Sequence, residues 1–147
     1  MAILFYSKCP EYSWLSNFYN SKFTLDGLRW SSVEHFYQAQ KFLGTDTFEQ
    51  IRISATPLKA RKTGQNRSLT PRPDWHAVKE EVMRRAIYAK FDRNKQLKLR
   101  LLATGEEELI HYSAKDLFWG RNKEGEGDNR LGKIIMEFRK NLHESRH

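Results

Sequence analysis

The stretch from Trp30 to Phe42 constrains the fold and chemistry of this chain more than any other part of its sequence. Ser31 is followed three residues later by Glu34, a capping-box spacing that predicts the start of a helix. On that helix Glu34, Gln38 and Lys41 fall at i, i+4 and i+7, so their side chains share one face. A carboxylate, an amide and an ammonium beside aromatic rings are suited to binding a small molecule. The structural alternative is that Glu34 only caps its own helix and that Lys41 is solvated.

The charge of the chain favours an anionic partner. It has 26 basic and 18 acidic side chains, a formal net charge of +8. The segment between Gln50 and Pro73 contains no acidic residue, and its basic residues are Arg52, Lys59, Arg61, Lys62, Arg67 and Arg72. Such a field attracts nucleic acid, or a phosphorylated nucleotide or sugar. Charge alone does not separate these partners, and part of it simply solvates the surface.

Length and composition predict one cytoplasmic domain. A chain of 147 residues is long enough to bury a core, and we expect a single domain over residues 1–147. The single cysteine, Cys9, excludes an internal disulfide and any multi-cysteine metal site, which suits a reducing cytosol. No apolar run approaches the ~20 residues of a membrane helix, so no membrane partner is expected. The sequence does not indicate an oligomeric state.

Hydrophobic periodicity predicts a mainly α, compact single-domain helical fold with a small N-terminal β element. Strands are expected at Ile3–Tyr6 and in a hairpin over Phe23–Trp30 that turns at Asp26-Gly27. Leu109–Tyr112 is either a brief strand or an extended link. Beyond the helix that begins at Ser31, helices are expected from Asp46 or Thr47, from Thr56 to Gly64, from Asp74 to about Phe91, from Asn94 to about Ala103, and from Leu131 to Leu142.

The segment 11–19 is dense in aromatic and small polar residues without a helical or strand period. Its rings can form the wall of a pocket, and Asn17 can supply hydrogen bonds to a ligand. The alternative is a surface loop that Trp14 and Phe18 pin to the core.

Carboxylates among aromatic rings are the most promising chemistry in the sequence. No histidine pair has metal-ligand spacing such as H-E-x-x-H, and neither a P-loop nor a dinucleotide fingerprint is present, so no metal or cofactor is predicted. Besides Glu34, Asp116 is a candidate, with Trp119 three residues beyond it. A carboxylate can stabilise positive charge at an anomeric carbon or activate water, while a ring stacks on a departing base. The alternative for Asp116 is to brace the loop before Trp119.

Several of these motifs together resemble a known family. They are Phe5-Tyr6, Leu15–Phe18, Trp30–Phe42, Thr56-Pro57, Asp74-Trp75, Lys90-Phe91, Leu102–Gly105, Asp116–Gly120, and Gly127–Gly132 ahead of Met136 and Arg139. The sequence resembles the NADAR, or YbiA-like, domain family from Phe5 to about Leu142. The most specific element is the E-H-x-x-Q-A-x-K-F run that starts at Glu34. The resemblance implies a mostly helical single domain without a metal.

The resemblance also implies an activity. The family includes N-glycosidases that hydrolyse phosphoribosylamino-pyrimidine intermediates of riboflavin biosynthesis, and members that remove ADP-ribose from guanine in nucleic acid. The catalytic residues it implies are Glu34, Trp119 as a stacking or positioning residue, and, with a less defined role, Asp116. The residues predicted to bind substrate are Asn17, Phe18, Gln38, Lys41, Lys62 and Asn129. A module that binds ADP-ribose or nucleic acid without cleaving it is the rival prediction.

Overall fold

Helices dominate the protein, as the hydrophobic periodicity predicts. We describe a computed structural model over residues 1–145. Its helices are α1 (Val33–Gln40), α2 (Asp46–Arg52), α3 (Pro57–Gly64), α4 (Trp75–Asp92), α5 (Lys95–Ala103) and α6 (Arg130–Glu144). Its strands are β1 (Ala2–Phe5), β2 (Phe23–Leu25), β3 (Leu28–Trp30) and β4 (Glu108–His111). Within residues 1–145, no helix has both the length and the hydrophobicity needed to cross a membrane.

The described residues divide into two units. The central unit is Asn17–Arg93, and the terminal unit combines residues 1–16 with residues 94–145. The mainly α fold class is confirmed, whereas the single domain over residues 1–147 stays a prediction.

The terminal unit is built on a parallel pair of strands. β1 lies beside β4 in a register that runs from Ala2 opposite Glu108 to Phe5 opposite His111. α6 packs on β4, and α5 packs on α6. The buried face of α6 is mostly apolar, with Leu131, Ile134, Ile135 and Phe138, and it also contains the charged side chain of Arg139. Leu109–Tyr112 therefore contains a strand rather than an extended link, and its pairing with the start of the chain was not predicted.

The central unit begins with the predicted hairpin and then buries α1 completely. β2 and β3 are antiparallel, with Phe23 opposite Trp30. Asp26 and Gly27 both have positive φ, as a tight hairpin turn requires. α1 packs against α2, α3 and α4, and every one of its residues is buried. The buried helix α1 carries one carboxylate and two side-chain amides, so polar groups lie inside the core of this unit.

One predicted helix cap is wrong, and a second has the predicted position without a capping hydrogen bond from its side chain. Ser32, not Ser31, caps α1: its side chain accepts a hydrogen bond from the backbone N–H of His35 at 3.2 Å. The predicted cap lies one residue too early because two adjacent serines, Ser31 and Ser32, stand at the helix start. Asp74 is the N-cap residue of α4, where the helix was expected to begin. Its side chain makes no capping hydrogen bond, and its carboxylate accepts hydrogen bonds from Arg72 at 2.6 and 3.0 Å.

The most deeply buried cation of the central unit is Lys90 on α4, whose side chain is 1% exposed. Its ammonium lies 5.7 Å from the ring centroid of Tyr19 and 5.2 Å from that of Phe91. Burial lowers the pKa of Lys90 to about 7, because a charged amine loses its hydration inside the protein.

This pKa predicts that stability rises with pH. Between pH ~7 and ~10.5, the unfolded Lys90 binds a proton that the folded residue has released, so the free energy of unfolding increases across that interval. We expect Lys90→Met to remove this part of the increase. The measurement is urea unfolding of both proteins at several pH values from ~7 to ~10. Identical pH dependence in the two proteins would contradict the prediction.

Candidate active site

The centre of the candidate site is the carboxylate of Glu34, buried on α1. The side chain is 3% exposed, and its Oε2 accepts a hydrogen bond of 2.7 Å from Nε2 of Gln38, one helical turn away. Burying an ionised carboxylate is costly unless hydrogen bonds or opposite charges compensate it. Because Ser32 caps the helix and Glu34 contacts side chains instead, the alternative that Glu34 serves as a cap is wrong.

Arg61 on α3 supplies the opposite charge. Its Nε donates to Glu34 Oε2 at 3.2 Å, and its guanidinium carbon lies 4.3 Å from the ring centroid of Phe18. Both hydrogen bonds to the carboxylate therefore end on Oε2. Within residues 1–145 no hydrogen bond reaches Oε1 of Glu34, so this is the oxygen that remains for a ligand.

Lys41 adds a second cation, one turn beyond Gln38 on the same face. Its Nζ donates to the carbonyl of Gly64 at 3.3 Å and lies 5.9 Å from the ring centroids of both Tyr37 and Trp75. Burial lowers the pKa of Lys41 below the usual lysine value. The charge of Glu34 raises this pKa, whereas Arg61 and Lys79 lower it further. Lys41 thus lies near one carboxylate and two further cationic side chains, and this excess of positive charge favours an anionic ligand.

Gly64 brings α3 close to α1. A Cβ atom at this position would lie 2.1 Å from Oε1 of Gln38 and 2.8 Å from its Cβ and Cδ, far inside van der Waals contact. Only glycine therefore permits this approach of the two helices with Gln38 in its present place. Gln38 donates a hydrogen bond to Glu34, so the space that Gly64 leaves for Gln38 also helps to position the carboxylate.

Asn17 lies directly beside the start of α1. Its backbone carbonyl accepts a hydrogen bond of 3.2 Å from the N–H of Glu34, and its Nδ2 lies 3.5 Å from the sulfur of Met83. Its Oδ1 is buried and has no hydrogen-bond partner within residues 1–145. A buried acceptor without a partner is costly and is often explained by a missing ligand or water. Asn17 and Phe18 thus lie with Glu34, Gln38 and Lys41, as the sequence predicted.

The other predicted site residues lie in the terminal unit. Oδ1 of Asp116 accepts hydrogen bonds from the backbone N–H groups of Phe118 and Trp119 at 3.2 and 3.0 Å, which is the bracing role of the structural alternative. The Trp119 side chain is buried and meets the ring of Phe118 edge to face at 4.7 Å. The catalytic roles of Asp116 and Trp119 stay predictions.

Asn129 has a clear structural task at the start of α6. Its Oδ1 accepts a hydrogen bond from the N–H of His111, and its Nδ2 donates to the carbonyl of Leu109, both at 2.9 Å. Both polar atoms of the side chain therefore tie α6 to β4. The predicted contact of Asn129 with substrate stays a prediction.

The residue of the basic segment that contacts Glu34 is Arg61, the neighbour of the predicted substrate-binding residue Lys62. Lys62 is exposed on α3, and its role in binding substrate stays a prediction. Ala60 and Gly64, the two buried residues of α3, stand at i−1 and i+3 relative to Arg61. This pair of small residues at helical spacing was the signal that could have identified the inner face of α3.

Metal ligands are not grouped in the described structure. Within residues 1–145, no three His, Cys, Asp or Glu side chains lie close enough together to hold a metal ion.

Comparison with known proteins shows similarity along nearly the whole chain. Residues 4–143 match the family model described as the NADAR domain. A Shigella flexneri serotype 5b (strain 8401) protein named N-glycosidase YbiA is 42% identical over 140 residues, 95% of this chain and 88% of that protein. The Vibrio vulnificus (strain YJ016) riboflavin biosynthesis protein VVA0006 is 39% identical over 142 residues, 97% of this chain and 39% of that protein. The NMR structure of the E. coli protein YbiA superimposes with a TM-score of 0.89 at 40% identity, covering 99% of this chain and 86% of that one.

Proposed function

The chain belongs to the NADAR domain family and is an N-glycosidase, and from this premise we propose that it hydrolyses a base–ribose bond in a phosphorylated ribosyl compound without a metal ion. The observation that carries the proposal is the buried carboxylate of Glu34, with Oε2 held by two donors and Oε1 left for a ligand. The name of the Vibrio vulnificus relative supports an intermediate of riboflavin biosynthesis as the substrate. The predicted cytoplasmic location is part of this proposal.

Glu34 acts at the anomeric carbon in the proposed reaction. As the bond to the base nitrogen breaks, the bonding electrons leave with the base and positive charge develops on the ribose. The carboxylate stabilises this charge or activates the attacking water. Water supplies the hydroxyl that joins the anomeric carbon and the proton that the base finally carries. A heterocyclic base departs with little prior protonation, so the usual pair of glycosidase carboxylates is not required.

Neighbouring groups of the central unit orient the substrate. The unpartnered Oδ1 of Asn17 accepts a hydrogen bond from a ribose hydroxyl, which satisfies a buried acceptor. Lys41 attracts the phosphate, because its surroundings carry net positive charge. The site thus recognises the ribose and the phosphate through side chains beside the reacting carbon.

A second candidate substrate is ADP-ribosylated guanine in nucleic acid. The observation that favours it is a basic pocket on the central unit, lined by Lys22, Arg29, Trp30, Ser31, Arg52 and Ile53. This pocket shares no residue with the cluster around Glu34, so it offers a separate place for a phosphate of a longer ligand. The rival prediction of a binding module without turnover does not apply to an N-glycosidase.

Base release distinguishes the two substrates. The protein is incubated with an aminopyrimidine ribosyl phosphate and with an oligonucleotide carrying ADP-ribosylated guanine, and the free base is followed by chromatography across a salt series. We expect release from the ribosyl phosphate, unchanged by EDTA and only weakly dependent on salt. The proposal would be overturned if base were released from the oligonucleotide alone, and if the affinity for the oligonucleotide fell with a slope of several units in a plot of log affinity against log salt concentration.

A further inference from the structure

We propose that Arg61 binds the phosphoryl group of the substrate through its two Nη groups while its Nε remains on Oε2 of Glu34. One planar guanidinium then sets the distance between the phosphate and the carboxylate that acts on the anomeric carbon. The inference rests on the proposed function and deepens it, because it assigns the direct hydrogen bonds to the phosphate to Arg61, beside the longer-range attraction from Lys41.

The orientation of Arg61 is fixed on two sides. Its Nε donates to Glu34 at 3.2 Å, and the ring of Phe18 lies against the guanidinium with 4.3 Å between ring centroid and Cζ. Because the guanidinium is rigid and planar, these contacts determine where the Nη groups point. Within residues 1–145 no hydrogen bond engages either Nη group, and the side chain is 43% exposed, so both reach a ligand from solvent.

Arg52 and Arg72, two other arginines of the basic segment, each donate two hydrogen bonds to a carboxylate of the protein. Arg52 donates to both oxygens of Glu49 at 2.7 and 2.6 Å. Arg72 holds both oxygens of Asp74 in the same two-bond manner. Arg61 instead donates to its carboxylate through Nε only, so its two Nη groups can still donate to a ligand. A pair of N–H groups in this planar arrangement matches a phosphate with two parallel hydrogen bonds.

The surrounding charges make an anion favourable at this place. Arg61 and Lys79 both lie near enough to Lys41 to lower its pKa, whereas the charge of Glu34 raises it. An incoming phosphate therefore relieves repulsion among the three cations, which a neutral ligand does not. This relief predicts a larger effect of Arg61 on phosphorylated than on dephosphorylated substrates.

The test compares Arg61→Lys with Arg67→Lys, the same substitution at an exposed position of the same basic segment. Each variant is assayed on an N-ribosyl base carrying a 5-phosphate and on its dephosphorylated nucleoside. We expect Arg61→Lys to lower kcat/KM for the phosphorylated substrate about 10- to 100-fold, the scale of charge-assisted hydrogen bonds. The nucleoside also loses the contact of Arg61 with Glu34, so its kcat/KM should fall too, but by a clearly smaller factor than that of the phosphorylated substrate. Both activities of Arg67→Lys should stay within about twofold.

Equal losses on both substrates, or no loss on either, would overturn the role of Arg61 while leaving the proposed function intact. A wild-type protein that releases base from neither substrate would overturn the proposed function as well. Inorganic phosphate gives a readout that needs no turnover. We expect its affinity for the folded protein, measured by calorimetry, to fall in Arg61→Lys by about the same factor and to be unchanged in Arg67→Lys. Equal phosphate affinities in both variants would contradict the proposal.

Discussion

Glu34→Gln lowers turnover at least ~100-fold, the usual scale for losing a charge-stabilising or acid–base group. Glutamine keeps the size of the side chain and an oxygen that accepts from Gln38, but it removes the negative charge. The lost ion pair is with the partly exposed Arg61, so the free energy of unfolding changes by no more than about 1 kcal/mol. The measurements are kcat for base release and a urea unfolding curve.

Glu49→Gln is the matched control. Glu49 on α2 also pairs with an arginine, Arg52, at 2.6 Å, but it is exposed and lies outside the cluster around Glu34. We expect this variant to retain normal kcat. Full activity in folded Glu34→Gln would remove Glu34 from the reaction, and equal losses in both variants would show that the effect is not specific to the site.

Gly64→Ala lowers kcat about 100-fold although residue 64 has no side chain to touch a substrate. The added Cβ would lie 2.1 Å from Oε1 of Gln38, so either the amide leaves Glu34 or α3 moves away from α1. Overpacking of this kind costs roughly 1–3 kcal/mol of stability. Displacing a reacting group by about 1 Å costs on the order of 100-fold in rate. Kinetics and urea unfolding of the same preparation measure both effects.

Gly105→Ala is the control that distinguishes a loss of kcat caused by lower stability from one caused by displacement of Glu34. Gly105 has φ +64°, so alanine is strained there, but a Cβ would meet nothing within 4 Å. We expect Gly105→Ala to be destabilised and to keep normal kcat in its folded fraction. If Gly64→Ala and Gly105→Ala lose stability alike and both keep kcat, the positioning of Glu34 by α3 is wrong.

Local signals predicted most of the fold. The hairpin turn at Asp26-Gly27 and the start of α3 at Thr56-Pro57 depend on neighbouring residues alone, and the structure confirms both. The parallel pairing of β1 with β4 joins residues about a hundred positions apart, and no local pattern encodes such a pairing. The cap of α1 was misplaced because Ser31 and Ser32 offer the same hydroxyl one residue apart.

The part of the site whose residues lie on a single helix was predictable from the sequence. The i, i+4, i+7 spacing placed Glu34, Gln38 and Lys41 on one face, and their contacts confirm this arrangement. Whether Arg61 or Lys62 faces Glu34 depends on the rotation of α3 against α1. That rotation depends on the close packing of Gly64 on Gln38, which no pattern within α3 alone predicts. Membership of the NADAR family and N-glycosidase activity, expected from the resemblance, are confirmed by the comparisons.

The most direct test of the site is an experimental structure of Glu34→Gln with an uncleaved ribosyl phosphate bound. We predict that the anomeric carbon lies about 3–3.5 Å from the side-chain group of residue 34 that Gln38 and Arg61 leave unbound, the distance of a reactive geometry. The phosphate should lie against the Nη groups of Arg61. A ribose bound away from α1, with residue 34 still enclosed by Gln38 and Arg61 alone, would contradict a reaction centred on Glu34.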